Sequence, residues 1–191
     1  MSHVHMIRHG KPISTWGDLE ADPDPGLDAE GHAQARRVAA ELLAMPIDRR
    51  PVRVLSSPLR RCRETAQPLA DALGVEVEIE PAVTEIPTPA SIPAESRGDW
   101  LRKAFGGVWA DVAGDLDYQA WAREVAAAAA RNPGAAIFSH FVAINAAAGV
   151  AVGDDRVRQF EPGHVSVTTF EITGGRLQLL TRGASATTQV L

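Results

Sequence analysis

Apolar and polar positions alternate between two rhythms along this chain, and the switches between them mark its elements. Residues 2–8 hold an apolar run, Val4 to Ile7, and predict a strand. Residues 11–27 are rich in Pro, Gly and Asp and predict a loop. Asp28 is placed to cap a helix reaching about Met45, with Ala35, Val38, Ala39 and Leu42 on the helical period. A short strand follows over Pro51 to Leu55. Ser57-Pro58 reads as a helix start, and Leu59, Cys62, Ala66, Leu69 and Leu73 then form one apolar stripe, closed by Gly74. Val75 to Ile79 alternates with glutamates, which predicts a strand near a sheet edge.

The pattern changes at 86–96, where Pro87, Pro89 and Pro93 forbid regular structure. A helix carrying Trp100, Leu101, Ala104 and Phe105 follows, and residues 86–115 read as a small inserted cap. Tyr118 to Arg131 predicts a helix and Ala135 to Ser139 a continuously apolar strand of the kind buried in a parallel sheet. Phe141 to Val152 predicts a close-packing helix of small residues. Val165 to Ile172 and Leu177 to Leu180, joined by Gly174-Gly175, predict a hairpin, and residues 184–191 a loose tail. Strands alternating with helices imply an α/β fold: a three-layer α/β/α sandwich with a largely parallel sheet and a small cap, forming one domain over residues 1–191.

Composition narrows the function. The 191 residues are 45% hydrophobic and 23% charged, enough for a sizeable core. A formal net charge of -5 disfavours a nucleic-acid partner. One cysteine, Cys62, excludes an internal disulfide or a thiolate metal cluster. Neither a signal peptide nor an apolar run long enough to span a bilayer stands out, so the expected location is cytoplasmic and away from the membrane. Oligomeric state is not legible.

The chemistry collects where strands end. The first ends in Arg8-His9-Gly10, the second at Ser56-Ser57 with Arg61 just beyond, and the fourth in Ser139-His140, while the third leads towards Glu85. In a parallel sheet these ends share one edge, where ligands bind. Arginine there matches a phosphate, and histidine can act as nucleophile or proton carrier. The residues alone leave a plainer reading open for each. Arg61 could be a surface arginine, His140 a satisfied core histidine and Glu85 the partner of a nearby arginine. His164 reads as a strand-start residue; Arg97, Arg102 and Lys103 could meet an acidic substrate, with a solvated helix face as the plainer reading. His3 and His5 form a His-x-His pair, which keeps a metal-dependent hydrolase as runner-up.

Arg8-His9-Gly10, then Ser57-Pro58-Leu59-Arg60-Arg61-Cys62-Arg63-Glu64-Thr65-Ala66, then Glu85, then Ser139-His140, resembles the histidine phosphatase superfamily, with its phosphoglycerate-mutase-like fold. The segment from Asp24 to Ala35 is similar to that family's first loop and helix, and the likeness runs from about residue 4 to about residue 180. The resemblance implies that His9 becomes a phosphohistidine and that Arg8 and Arg61 hold the phosphoryl oxygens. It further implies that His140 donates to that group and that Glu85 serves as proton donor, then base. It implies a phosphohydrolase of the histidine acid phosphatase type acting on a small phosphorylated substrate, with no metal or other cofactor. A phosphoglycerate-mutase-like phosphotransferase and a non-catalytic binder of phosphorylated ligands are the alternatives. The chain departs from the family's common patterns at Lys11-Pro12, at Phe141-Val142 and at Ile86-Pro87-Thr88-Pro89, which leaves the substrate open.

Overall fold

The computed structural model describes residues 2–14 and 22–185. Part of the loop expected over 11–27 and most of the tail expected over 184–191 lie outside the described residues. Six strands form one mixed sheet in the order β3-β2-β4-β1-β5-β6. They are β1 (Ser2–Arg8), β2 (Arg53–Ser56), β3 (Val77–Ile79), β4 (Ala135–Ser139), β5 (Val167–Thr173) and β6 (Arg176–Thr181). Neighbours from β3 to β1 run parallel, while β5 lies antiparallel to both β1 and β6.

Side-chain alternation divides the core between the two faces of the sheet. Ile7, Val54, Ala136 and Phe138 pack under α1 (Ala29–Leu43) and α2 (Arg60–Leu73). Val4, Met6, Leu55 and Ile137 pack under α4 (Tyr118–Ala130) and α5 (Phe141–Val152). The short α3 (Arg97–Phe105) joins this second core through Leu101 and Ala104. Among the described residues no helix is long and apolar enough to cross a membrane.

Most expected boundaries hold within two residues, and the departures have local causes. Asp28 caps α1 by accepting the Gly31 N–H at 2.7 Å. Ser57, however, does not cap α2, which starts at Arg60 with Leu59 at the cap position. The hydroxyl of Ser57 instead lies 2.8 Å from His140 Nε2, and the carboxylate of Asp24 takes the Arg60 N–H at 2.8 Å. The strand β5 starts two residues late because Val165 turns the chain with φ 54°. Such a backbone is strained for a β-branched side chain, by about 1–3 kcal/mol. The Gly174-Gly175 turn, with φ 58° and 73°, gives the hairpin the positive φ that its twist requires.

Candidate active site

Hydrogen bonds between the strand ends bring the polar residues to one edge. His9 N–H donates to Ser139 O (3.0 Å) and Ser57 N–H to Phe138 O (2.9 Å), which ties β1 and β2 to β4. Ser139 Oγ donates to Val83 O (2.7 Å), which holds the segment carrying Glu85. The chain at Gly10 runs against the start of α1 so closely that a Cβ on Gly10 would meet Gly31 O at 2.8 Å. Gly10 serves close approach here and not a left-handed turn.

His9 is 6% exposed, and its Nδ1 bonds the Gly10 carbonyl at 2.8 Å. A carbonyl only accepts, so Nδ1 carries the proton and Nε2 keeps the lone pair. Burial first, then the charges of His140, Arg61 and Arg8, hold its pKa well below the ordinary histidine value. His9 is therefore a neutral imidazole with a free ring nitrogen at neutral pH. His140 is fully buried, with its ring centroid 5.3 Å from that of His9. Its Nδ1 faces Arg61 Nη2 at 3.3 Å, and since arginine only donates, Nε2–H donates to Ser57 Oγ. Burial, then Arg61 and Arg8, keep His140 neutral as well.

Arg8 donates Nη1 to Pro162 O (2.9 Å) and lies over the Phe141 ring, 5.4 Å from its centroid. Its Nε is buried with no hydrogen-bond partner among the described residues. Burial pushes the Arg8 pKa down to about 10, which leaves it charged. Arg61 is 6% exposed and carries Asp24 at 4.0 Å. Glu85, 8% exposed, accepts the Ile86 N–H at 3.0 Å and places its other oxygen 3.7 Å from His140 Nδ1. Burial raises its pKa against the opposing pull of Arg61, the Ile86 N–H, Arg97 and Arg8. All five residues marked in the sequence thus fall in one cluster.

Four further residues that were not marked as site residues join this cluster. Arg97 belongs to no solvated face: it donates to Thr88 Oγ1 and adds positive charge beside Glu85, whereas Arg102 and Lys103 are exposed. His164 donates Nδ1–H to His9 O (3.0 Å), and Thr65 Oγ1 accepts the Gly10 N–H (3.0 Å). Ser57, expected as a helix cap, is the partner of His140. His5, by contrast, spends both ring nitrogens inside the fold, on Thr169 Oγ1 (3.0 Å) and Arg49 O (2.7 Å). Among the described residues no group of three or more His, Cys, Asp or Glu is gathered as for a metal.

The buried histidines make stability acid-sensitive. Burial lowers the pKa of His5, His9 and His140, and that of His164 to about 4. Below about pH 6.5 the unfolded chain takes up protons that the folded chain refuses, so stability is lost as pH falls towards the folded values. Glu85 acts oppositely, but it is one group against four. The urea midpoint is expected to fall steadily from pH 7 to pH 5 and to fall less in His164→Asn. A flat midpoint across that range would show that these rings are not held neutral.

Residues 4–90 match the model of the histidine phosphatase superfamily (branch 1), a stretch that includes Arg8, His9, Arg61 and Glu85 but ends before His140. The chain is similar to an uncharacterized protein of Mycobacterium tuberculosis, 40% identical over 85 residues, covering 44% of this chain and 40% of that one. It is also similar to a probable phosphoglycerate mutase of Enterobacter sp. (strain 638), 30% identical over 89 residues, covering 45% of this chain and 39% of that one. The chain thus spans about 40% of the length of these curated relatives. Its fold is similar to that of a phosphoserine phosphatase from Entamoeba histolytica, solved with 3-phosphoglyceric acid. The two superpose with a TM-score of 0.75 at 22% identity, over 97% of this chain and 98% of that one.

Proposed function

We propose that this chain, which belongs to the histidine phosphatase superfamily, hydrolyses small phosphomonoesters through a phosphohistidine on His9 Nε2. The observation that carries this reading is the state of His9. It is a neutral ring with its proton fixed on the Gly10 carbonyl and its lone pair free, set among the charges of Arg8 and Arg61. Arginine forks hold phosphoryl oxygens, and the buried Arg8 Nε is a donor left over for one of them.

In the first step the Nε2 lone pair bonds to phosphorus and the P–O ester bond breaks. Glu85, its pKa raised by burial, gives its proton to the departing oxygen. Water then attacks the phosphohistidine, the Glu85 carboxylate takes a proton from it, and phosphate leaves with His9 restored. If the ring proton of His140 moves from Nε2 to Nδ1, the Ser57 hydroxyl turning to donate to Nε2 and Arg61 turning from Nδ1 onto the phosphate, Nδ1–H can donate to a phosphoryl oxygen. Fixed donors of this kind stabilise the spreading charge of phosphoryl transfer. We assign residues 86–115 to a cap of the same single domain. In support, Leu101 and Trp109 share a core with α4 and α5, and Tyr118 Oη donates to Pro87 O at 3.0 Å.

Phosphate release from p-nitrophenyl phosphate tests the reading, together with a screen of phosphorylated metabolites. Activity is expected to survive EDTA, because the arginines and histidines supply the positive charge. Activity abolished by EDTA and restored by a divalent ion would overturn the metal-independent reading. The likeness to a probable phosphoglycerate mutase favours phosphotransfer as the second reading. Isomerisation of a phosphoglycerate without free phosphate would decide for it.

A further inference from the structure

The peptide joining His9 to Gly10 is held on both edges. Its N–H, that of Gly10, donates to Thr65 Oγ1 at 3.0 Å, and its C=O, that of His9, accepts from His164 Nδ1 at 3.0 Å. The next carbonyl, that of Gly10, is the one that fixes the His9 ring. So the orientation of the imidazole passes through a peptide plane that His164 clamps.

The segment bearing His164 is itself tied down. Asn145 Oδ1, buried on α5, accepts the N–H groups of Gln159 (2.6 Å) and Phe160 (3.0 Å). Arg8 Nη1 takes Pro162 O, and Gly163 N–H donates to Ala184 O at 2.9 Å. Val165 N–H donates to Arg8 O at 2.9 Å from a left-handed backbone that a β-branched residue rarely adopts. Strain of this kind persists where the surroundings impose it, and here it falls beside the residue aimed at His9. The His164 ring lies 5.5 Å from the His9 ring, tilted by 49°.

We infer that His164 is a positioning residue for His9: by donating Nδ1–H to the His9 carbonyl it fixes the His9–Gly10 peptide and, through the Gly10 carbonyl, aims Nε2 at phosphorus. The inference rests on the reading of His9 as nucleophile. Substrate binding is left to Arg8 and Arg61, so losing the clamp acts on the attack and not on affinity.

Three variants separate the hydrogen bond from mere bulk. Leucine at 164 keeps volume without a donor, alanine keeps neither, and asparagine puts an amide N–H where Nδ1 stands. On p-nitrophenyl phosphate, His164→Ala and His164→Leu are expected to lower kcat roughly 10–100-fold with KM within about twofold, while His164→Asn recovers most of the loss. The 15N shifts of the His9 ring give a readout free of turnover. They should report the Nδ1–H tautomer in the wild-type chain and a tautomer mixture in His164→Ala. Near-normal kcat in His164→Leu, no recovery in His164→Asn, or unchanged His9 shifts in His164→Ala would each overturn the inference. A wild-type chain that turns over no phosphomonoester would overturn the hydrolase reading instead, and the His9 shifts would still decide whether His164 positions the ring.

Discussion

His9→Ala is expected to lower phosphomonoester turnover by a factor on the order of 10⁴–10⁶ while the chain keeps its fold. Phosphate monoesters hydrolyse extremely slowly without catalysis, and splitting the reaction at a phosphohistidine depends on this one ring nitrogen. The charges of Arg8 and Arg61 would remain, but no attacking atom of the protein would face them. The fold should survive because, among the described residues, the ring makes one hydrogen bond, to Gly10 O, while the backbone link to Ser139 O stays in place. Single-turnover kinetics, a thermal melt and trapping of acid-labile, base-stable phosphate check the three parts together. The trapped phosphate should be found on the wild-type chain only. Near-normal turnover in the variant would remove His9 from the reaction.

The contrast between what could be read from the sequence and what could not has a physical pattern. The limits of β1, β4 and α5 follow from runs of apolar residues, because each is buried by its own periodicity. Arg8, His9 and His140 were legible for the same reason: parallel strands must deliver whatever follows them to one edge. The start of α2 was not, because Ser57 Oγ meets His140, 83 positions away, and keeps only a 3.3 Å local bond from Leu59 N–H, while Asp24 takes the Arg60 N–H. His164 sits in a segment without a period, and Arg97 in the first turn of α3, whose apolar stripe does not say where its side chain turns; bonds such as those of Asn145 and Thr88 decide their placement. A left-handed Val165 contradicts local preference outright, and no pattern of apolar positions announces it. The residues that sequence reasoning misread are therefore those whose geometry is set by distant parts of the chain.

Glu85→Gln is expected to separate substrates by their leaving groups. Glutamine keeps the size of the side chain and can still accept the Ile86 N–H through its amide oxygen, but it cannot supply an acidic proton. An alkyl phosphate expels a strongly basic alkoxide, which needs that proton; a p-nitrophenyl ester expels a phenolate stable enough to leave without it. The loss in the phosphorylation step should therefore be on the order of 10²–10⁴ for alkyl phosphates and much smaller for p-nitrophenyl phosphate. Burial is what equips Glu85 for this, by raising its pKa towards the working pH despite Arg61, Arg97 and Arg8 nearby. Burst kinetics must isolate phosphorylation, since the same carboxylate acts on water in the second step. Equal losses on both esters would make Glu85 a structural or electrostatic element of the pocket. No loss on either would move the acid elsewhere, and Asp24, 4.0 Å from Arg61, would be the carboxylate to test next.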